Sequence, residues 1–224
     1  MRGKVWVGVG GQCGLSTSAL SNKLTLLPLK PTPLGIYIGE ALAIPEGMII
    51  ETKRLRLLPF DQSHREGFTT MNTDPEVMAD LGGPFAGEKS DAKLARYAAT
   101  FEDRGFGRFA IENSEGRFLG YAGIMPVDEA HPLGPHVEIG WRLLREAWGH
   151  GYATEAAAAA LQDGFGRVGL TKIFSYTAPE NFRSQAVMER LQLHRDRSSD
   201  FVANYGSVKW HGLVWVATTY TNGS

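Results

Sequence analysis

The sequence predicts an α/β (α+β) domain with a mostly antiparallel sheet, flanked by helices and holding one strand–helix–strand crossover at its centre. Three observations carry this. The segments run strand, helices, three strands, helix, strand, helix, two strands. The turn residues Asn113-Ser114-Glu115-Gly116 mark a hairpin between two of those strands. At the centre, residues 137–161 read as a strand, a turn with two glycines and an alanine-rich helix.

Residues 1–47 stand apart from this pattern. They are rich in Gly, Pro, Ser and Thr, and the first acid is Glu40. Gly8-Val9-Gly10-Gly11-Gln12-Cys13-Gly14 resembles a dinucleotide loop only in part. The third glycine of that motif falls on Cys13, no amphipathic helix follows, and no acid sits about 20 residues on. Pro28, Pro31, Pro33 and Pro45 argue against regular structure. The expectation is a poorly ordered N-terminal extension over 1–47 and a domain over 48–224.

From Thr52 the pattern is regular. Leu55 and Leu57 alternate with Arg54 and Arg56 through Pro59, which reads as a half-buried strand. Asp61 caps a helix to about Asn72. Asp74-Pro75 opens a short helix that stops at Gly82-Gly83-Pro84. A longer helix spans about Ser90 to Asp103, with Leu94, Tyr97, Ala98 and Phe101 at helical spacing and Ser90/Asp91 as its cap. Strands follow at 108–112 and 117–126, then a loop at 128–135.

Val137 to Leu144 is the next strand. Trp148-Gly149-His150-Gly151-Tyr152 forms the turn, and the helix runs from Thr154 to about Gly166. Its five successive alanines favour helix above any other residue. A strand at 171–178, a helix at 180–191 and strands at 201–203 and 213–220 complete the chain.

Composition narrows the function classes. Apolar residues make up 43% and charged residues 21%, ordinary for a globular protein. A net charge of −1 argues against a general nucleic-acid binder. The single cysteine, Cys13, rules out an internal disulfide and a cysteine metal cluster, and fits a reducing cytoplasm. His131 and His136 lack ligand spacing, so no metal is expected. No run of roughly 18 apolar residues suggests a membrane span.

The chemistry concentrates at 137–161. The first N–H groups of a helix have no partner inside it and point along the positive end of its dipole. Glycines let that backbone approach a phosphate closely. The simplest ligand of this turn is a pyrophosphate.

An ordered set of residues carries a family likeness. It comprises Thr52-x-Arg54-Leu55-Arg56-Leu57, Glu138-Ile139-Gly140-Trp141, Trp148-Gly149-His150-Gly151-Tyr152-Ala153-Thr154-Glu155-Ala156, Asn181-x-x-Ser184 and Trp210-His211-Gly212-Leu213-Val214-Trp215. On these the chain from Thr52 to Tyr220 resembles the GNAT N-acetyltransferase superfamily. It is most similar to the branch that includes the ribosomal-protein N-terminal (alanine and serine) acetyltransferases.

The resemblance implies acetyl-CoA as donor and a sheet splayed at the CoA site. The pyrophosphate would lie on Gly149, His150, Gly151, Tyr152 and Ala153, with Thr154 in the same turn. The pantetheine arm would run beside Ile139 to Leu144, along Trp141, Leu143 and Leu144, as an added strand does. Asn181 would hold the arm from the other side. The chain departs from the family in three places. Glu146 stands where Gln or Arg is frequent, Gln192-Leu193 where Gly-Phe is frequent, and no tyrosine occupies the proton-donor position near the last helix.

The implied reaction is attack of a neutral amine on the thioester. Glu138 is the candidate base, a backbone N–H near Arg142 or Leu143 the candidate oxyanion donor, and Ser184 the candidate proton donor to the thiolate. Other roles stay open. Glu138 faces solvent or pairs with an arginine across the sheet. Asn181 is a helix N-cap, a CoA ligand or both. Ser184 serves the local backbone. The expected acceptor is a primary amine, first a protein or peptide N-terminus and otherwise a small-molecule amine. A non-catalytic CoA-binding module is the alternative class. Monomer and homodimer are both compatible with the sequence.

Overall fold

A computed structural model of the chain describes residues 48–205 and 208–219. Its nine strands, among the described residues, form a sheet ordered β1-β2-β3-β4-β5-β6-β9-β7, with β8 paired to β9 outside that path. The ranges are β1 Ile50–Glu51, β2 Leu55–Pro59, β3 Arg108–Asn113, β4 Phe118–Val127, β5 His136–Leu143, β6 Lys172–Thr177, β7 His194–Arg195, β8 Phe201–Tyr205 and β9 Val208–Thr218. Only β5 and β6 are parallel. The crossover between them is helix α3, Tyr152–Gly166, as the sequence predicts.

Helices α1 (Arg65–Thr73) and α2 (Glu88–Arg104) cover one face of the sheet. Phe68, Met71, Leu94 and Tyr97 from them meet Ala110, Tyr121 and Met125 of the strands. Helix α3 and helix α4 (Phe182–Arg190) cover the other face. There Ala157, Ala160, Leu161 and Met188 pack on Ile124, Ile139, Ile173 and Trp215. The alanines have a second use beyond helix propensity. With almost no side chain, α3 settles close against the strands, and Ala156 and Ala157 are fully buried.

Several local expectations need correction. Asp61 caps a 3₁₀ turn at Gln62–His64, which leads into α1. The segment after Asp74 is a run of turns with a 3₁₀ turn at Ala79–Leu81, closed by left-handed Gly82. Helix α2 starts two residues before Ser90 and is capped at Gly87. Tertiary bonds explain the shift: Ser90 is buried and accepts from Asn72 Nδ2 at 3.0 Å, while Asp91 accepts from Arg65 Nε and Nη2 at 2.7 and 2.8 Å. The last two strands are longer than the sequence suggests and pair as a hairpin, Phe201 facing Gly212 through Asn204 facing Lys209. The N-terminal segment 1–47 lies outside the described residues.

Candidate active site

The centre of the sheet opens where the crossover begins. Strands β5 and β6 are registered at Glu138 and Phe174, and Ser175 Oγ donates to Ile139 O at 3.1 Å one step further. Beyond that the two strands part, and β5 continues to Leu143 paired with β4 alone. Strand groups alternate in direction. Ile139 O points toward β6, whereas Leu144 N–H is given to Leu119 O at 2.9 Å on the β4 side. The backbone groups of Trp141 and Leu143 therefore face the opening, and those of Gly140 and Arg142 face β4. Of the two expected positions, the Leu143 N–H faces the opening and the Arg142 N–H faces β4.

The opening leads into a cleft of about 1280 Å³ that takes in Trp141, Leu143, the 148–154 turn and the start of α4. Gly149 and Gly151 have φ of +81° and +79°, a left-handed backbone that a Cβ would strain. The first bond of α3 is Glu155 N to Gly151 O at 3.1 Å, so the N–H groups ahead of it are available at the helix's positive end. Gly149, His150, Gly151, Tyr152, Ala153 and Thr154 all line the cleft. Leu144 does not: its N–H is used by Leu119 and its side chain packs on the α1–α2 face with Phe85.

Arg54 holds this turn in place, which the sequence did not reveal. Its Nη1 donates to His150 O at 2.9 Å, and its guanidinium lies 4.8 Å over the Tyr152 ring. Glu155 binds it from α3, accepting from Arg54 Nε at 2.7 Å, Arg54 N at 2.9 Å and Thr52 Oγ1 at 2.7 Å. Burial pushes the Glu155 carboxyl up, but those hydrogen bonds and the Arg54 charge outweigh it and leave it below the usual carboxylate range. Glu146 points away from the turn and pairs with Arg117.

On the opposite wall, Asn181 caps α4 by accepting from Ser184 N at 3.1 Å. Its amide nitrogen donates to Asp80 at 2.8 Å, and the other Asp80 oxygen accepts from Arg142 Nη1 at 2.9 Å. Asn181 thus ties α4 to the 79–81 turn. Ser184 lines the cleft, as does Arg183, which lies 4.2 Å over the Trp148 ring.

Glu138 faces a second cavity, of about 650 Å³, on the α1–α2 side. It takes Arg108 Nη2 at 2.5 Å, the pairing across the sheet that its position allowed. Arg108 is buried, and its Nη1 donates to the carbonyls of Gly123 and, at 3.0 Å, Gly140. Gly140 makes this possible, since a Cβ there would meet Arg108 Nη2 at 2.8 Å. The cavity is walled by Pro126–Pro132 and by Val202–Asn204 of β8. His131, stacked on Tyr176 at 5.0 Å between ring centroids, closes one end. Among the described residues no cluster of His, Cys, Asp and Glu is arranged to hold a metal, and no helix is long and apolar enough to cross a membrane.

A splayed β5, a glycine turn on the N-terminus of α3 and a cavity on the far side of the same strand match one family. The chain belongs to the acetyltransferase (GNAT) domain family, which it matches over residues 54–194. It is 32% identical over 148 residues to FsC-acetyl coenzyme A-N(2)-transacetylase of Aspergillus fumigatus, covering 62% of this chain and 62% of that relative's length. Among solved structures, an acetyltransferase from Agrobacterium tumefaciens superposes with a TM-score of 0.65 at 26% identity, over 81% of this chain and 98% of that one. The ribosomal L7/L12 α-N-protein acetyltransferase RimL, solved with coenzyme A, shares the fold with a TM-score of 0.62 at 16% identity, over 76% of this chain and 97% of that one.

Proposed function

We propose that this protein is an acetyl-CoA-dependent N-acetyltransferase whose acceptor is a primary amine, with a protein or peptide N-terminus as first choice. The opening between β5 and β6 beside the glycine turn carries the reading. It offers an anion site at the glycine turn and, along β5, backbone groups of Trp141 and Leu143 that an extended amide-bearing arm can join, although the Leu143 carbonyl already accepts from Trp148 Nε1 at 3.0 Å. Gly149 to Thr154 would take the pyrophosphate and Trp141 and Leu143 the arm. The N–H of Leu143 is the preferred oxyanion donor. Ser184, which lines the cleft, would be the proton donor to the thiolate.

The amine would enter from the second cavity, which meets β5 from the other face. Only the neutral amine attacks, and an α-amine, with a pKa of about 8, gives up its proton more readily than a lysine at about 10.4. A small-molecule amine is the second reading. It is favoured by the 650 Å³ cavity, a volume typical of small-ligand sites, and by the named activity of the Aspergillus relative.

The test is thiol release from acetyl-CoA with a panel of short peptides, polyamines and amino acids. Release with at least one amine is expected. CoA binding by calorimetry without release from any amine would make the protein a binding module. Failure of both would overturn the assignment.

A further inference from the structure

Around Tyr121 lies a group of charges that the site described so far does not use. On the α1–α2 face of the sheet the side chains stand in rows. Arg108, Gly123 and Gly140 form one; Ala110, Tyr121 and Arg142 form the next; Met125 and Glu138 flank them. Arg108 lies 5.9 Å from the Tyr121 ring centroid, and Arg142 is its cross-strand partner. From α2, Lys93 Nζ lies 5.6 Å from the Tyr121 centroid and 5.8 Å from that of Tyr97. The two tyrosine rings meet edge to face at 5.3 Å, and both are buried.

The charges do not balance. Three cations face this phenol, and the carboxylates nearby are already committed: Glu138 to Arg108 and Asp80 to Arg142. Among the described residues Lys93 has no carboxylate partner, and it lies among the rings of Phe68, Phe85, Tyr97 and Tyr121. A surplus of positive charge in such a setting is costly unless an anion meets it or a cation gives up its proton; burial pushes the Lys93 ammonium down and the facing Tyr121 opposes that. The Tyr121 phenolate is the group placed to supply that anion. Its neighbour Tyr97 lines the acceptor cavity together with Arg96, Arg108 and Glu138.

We propose that Tyr97 and Tyr121 are the base of the reaction, Tyr97 touching the acceptor and Tyr121 holding the negative charge behind it. The proposal rests on the N-acetyltransferase reading. An N–H bond of the entering ammonium breaks as its proton passes to the Tyr97 oxygen, and the Tyr97 proton moves to the Tyr121 phenolate. The products are a neutral amine and two neutral phenols, and Tyr121 returns its proton to solvent after transfer. Glu138 is then a positioning residue that holds Arg108 against Tyr121.

The electrostatics agree. Burial pushes the Tyr121 phenol up, but the charges of Lys93, Arg142 and Arg108 bring it down to about 7. Burial and the neighbouring Tyr121 push Tyr97 well above the ordinary phenol value, so it stays protonated and able to relay.

Two measurements on the full chain test this. The first is a pH titration of tyrosinate absorbance without substrate. One tyrosine should ionise near pH 7, disappear in Tyr121→Phe and move to higher pH in Lys93→Met. The second is the pH profile of thiol release. The acid limb of kcat/KM should follow the same ionisation and shift upward in Lys93→Met. In Tyr121→Phe and Tyr97→Phe kcat should fall about a hundredfold or more, with CoA affinity unchanged as the check on folding. Transfer by the wild type without a low-pH tyrosine, or full kcat in Tyr121→Phe, overturns the proposal and leaves the acetyltransferase reading standing. A Lys93→Met variant that raises the acceptor KM without moving the limb also overturns it, since Lys93 would then be meeting the acceptor. If no amine releases thiol from the wild type, the acetyltransferase reading fails and the relay fails with it, whatever the absorbance shows.

Discussion

At the residue scale the instructive case is Glu138. Its place on β5 was readable, since it lies in a recognisable strand ahead of the glycine turn. Its partner was not, because Arg108 comes from β3, across β4, and reaches Glu138 only through the space that Gly140 leaves. Removing one member of a buried pair leaves the other uncompensated. Glu138→Ala is expected to cost about 3–5 kcal/mol, seen as a fall in Tm, whereas Glu138→Gln, which keeps an acceptor for Arg108, should cost clearly less. Equal losses in the two would show that the charge pair does not hold Arg108. Arg54 and Glu155 teach the same lesson: they are 101 residues apart, and no periodicity links them. Because the folded-state Glu155 carboxyl is held below its usual range, its contribution is present above the unfolded value and is lost as pH falls through the folded one. Thermal melts from neutral pH into the acid range should therefore decline less steeply in Glu155→Gln than in the wild type.

At the scale of elements, β5, α3 and the turn between them were legible because each carries its own local signal: branched residues, a run of alanines, paired glycines. The short helix expected after Asp74 was not found. That stretch takes its shape from Arg142, which donates to Val77 O and to Asp80, so a strand distant in sequence sets it. Strand β8 was recognised only as a closing strand, and its role as a cavity wall depends on the length of its pairing with β9. The close seat of α3 gives a prediction. Ala157 is fully buried against the sheet, and Ala157→Leu should cost about 1–3 kcal/mol by overpacking. Because α3 carries the glycine turn, CoA affinity measured by calorimetry should weaken in parallel. An unchanged affinity would mean that the turn is positioned independently of the helix seat.

For the whole molecule, the β3–β4 hairpin and the β5–α3–β6 crossover follow from the segment pattern, whereas the insertion of β9 between β6 and β7 does not. The splay at the CoA site was expected from the family resemblance alone, since no residue type marks where the strands separate; the part of β8 in walling the second cavity was not expected. Met48 and Ile50 pack against the core beside Leu55 and Leu57, and truncation tests the expectation of a domain from Met48. A chain beginning at Met48 is expected to melt cooperatively and to bind CoA with the affinity of the full chain. A large loss of either would assign residues 1–47 a part in the fold.

The parting of β5 from β6 has a mechanical consequence. A sheet usually keeps its unsatisfied backbone at its margins, where charge or proline guards it. Here part of that margin lies inside the sheet, and the strand-to-strand link between the two halves is the registered step at Glu138 and Phe174, with the Ser175 bond beside it and the core under α3 and α4 spanning both. A ligand arm that bonds to Trp141 and Leu143 acts as a removable rung between them. Each catalytic cycle would then stiffen and relax the molecule along this seam. Amide exchange at Trp141 and Leu143 should slow sharply when CoA is added, and exchange within the β3–β4 pair should barely change.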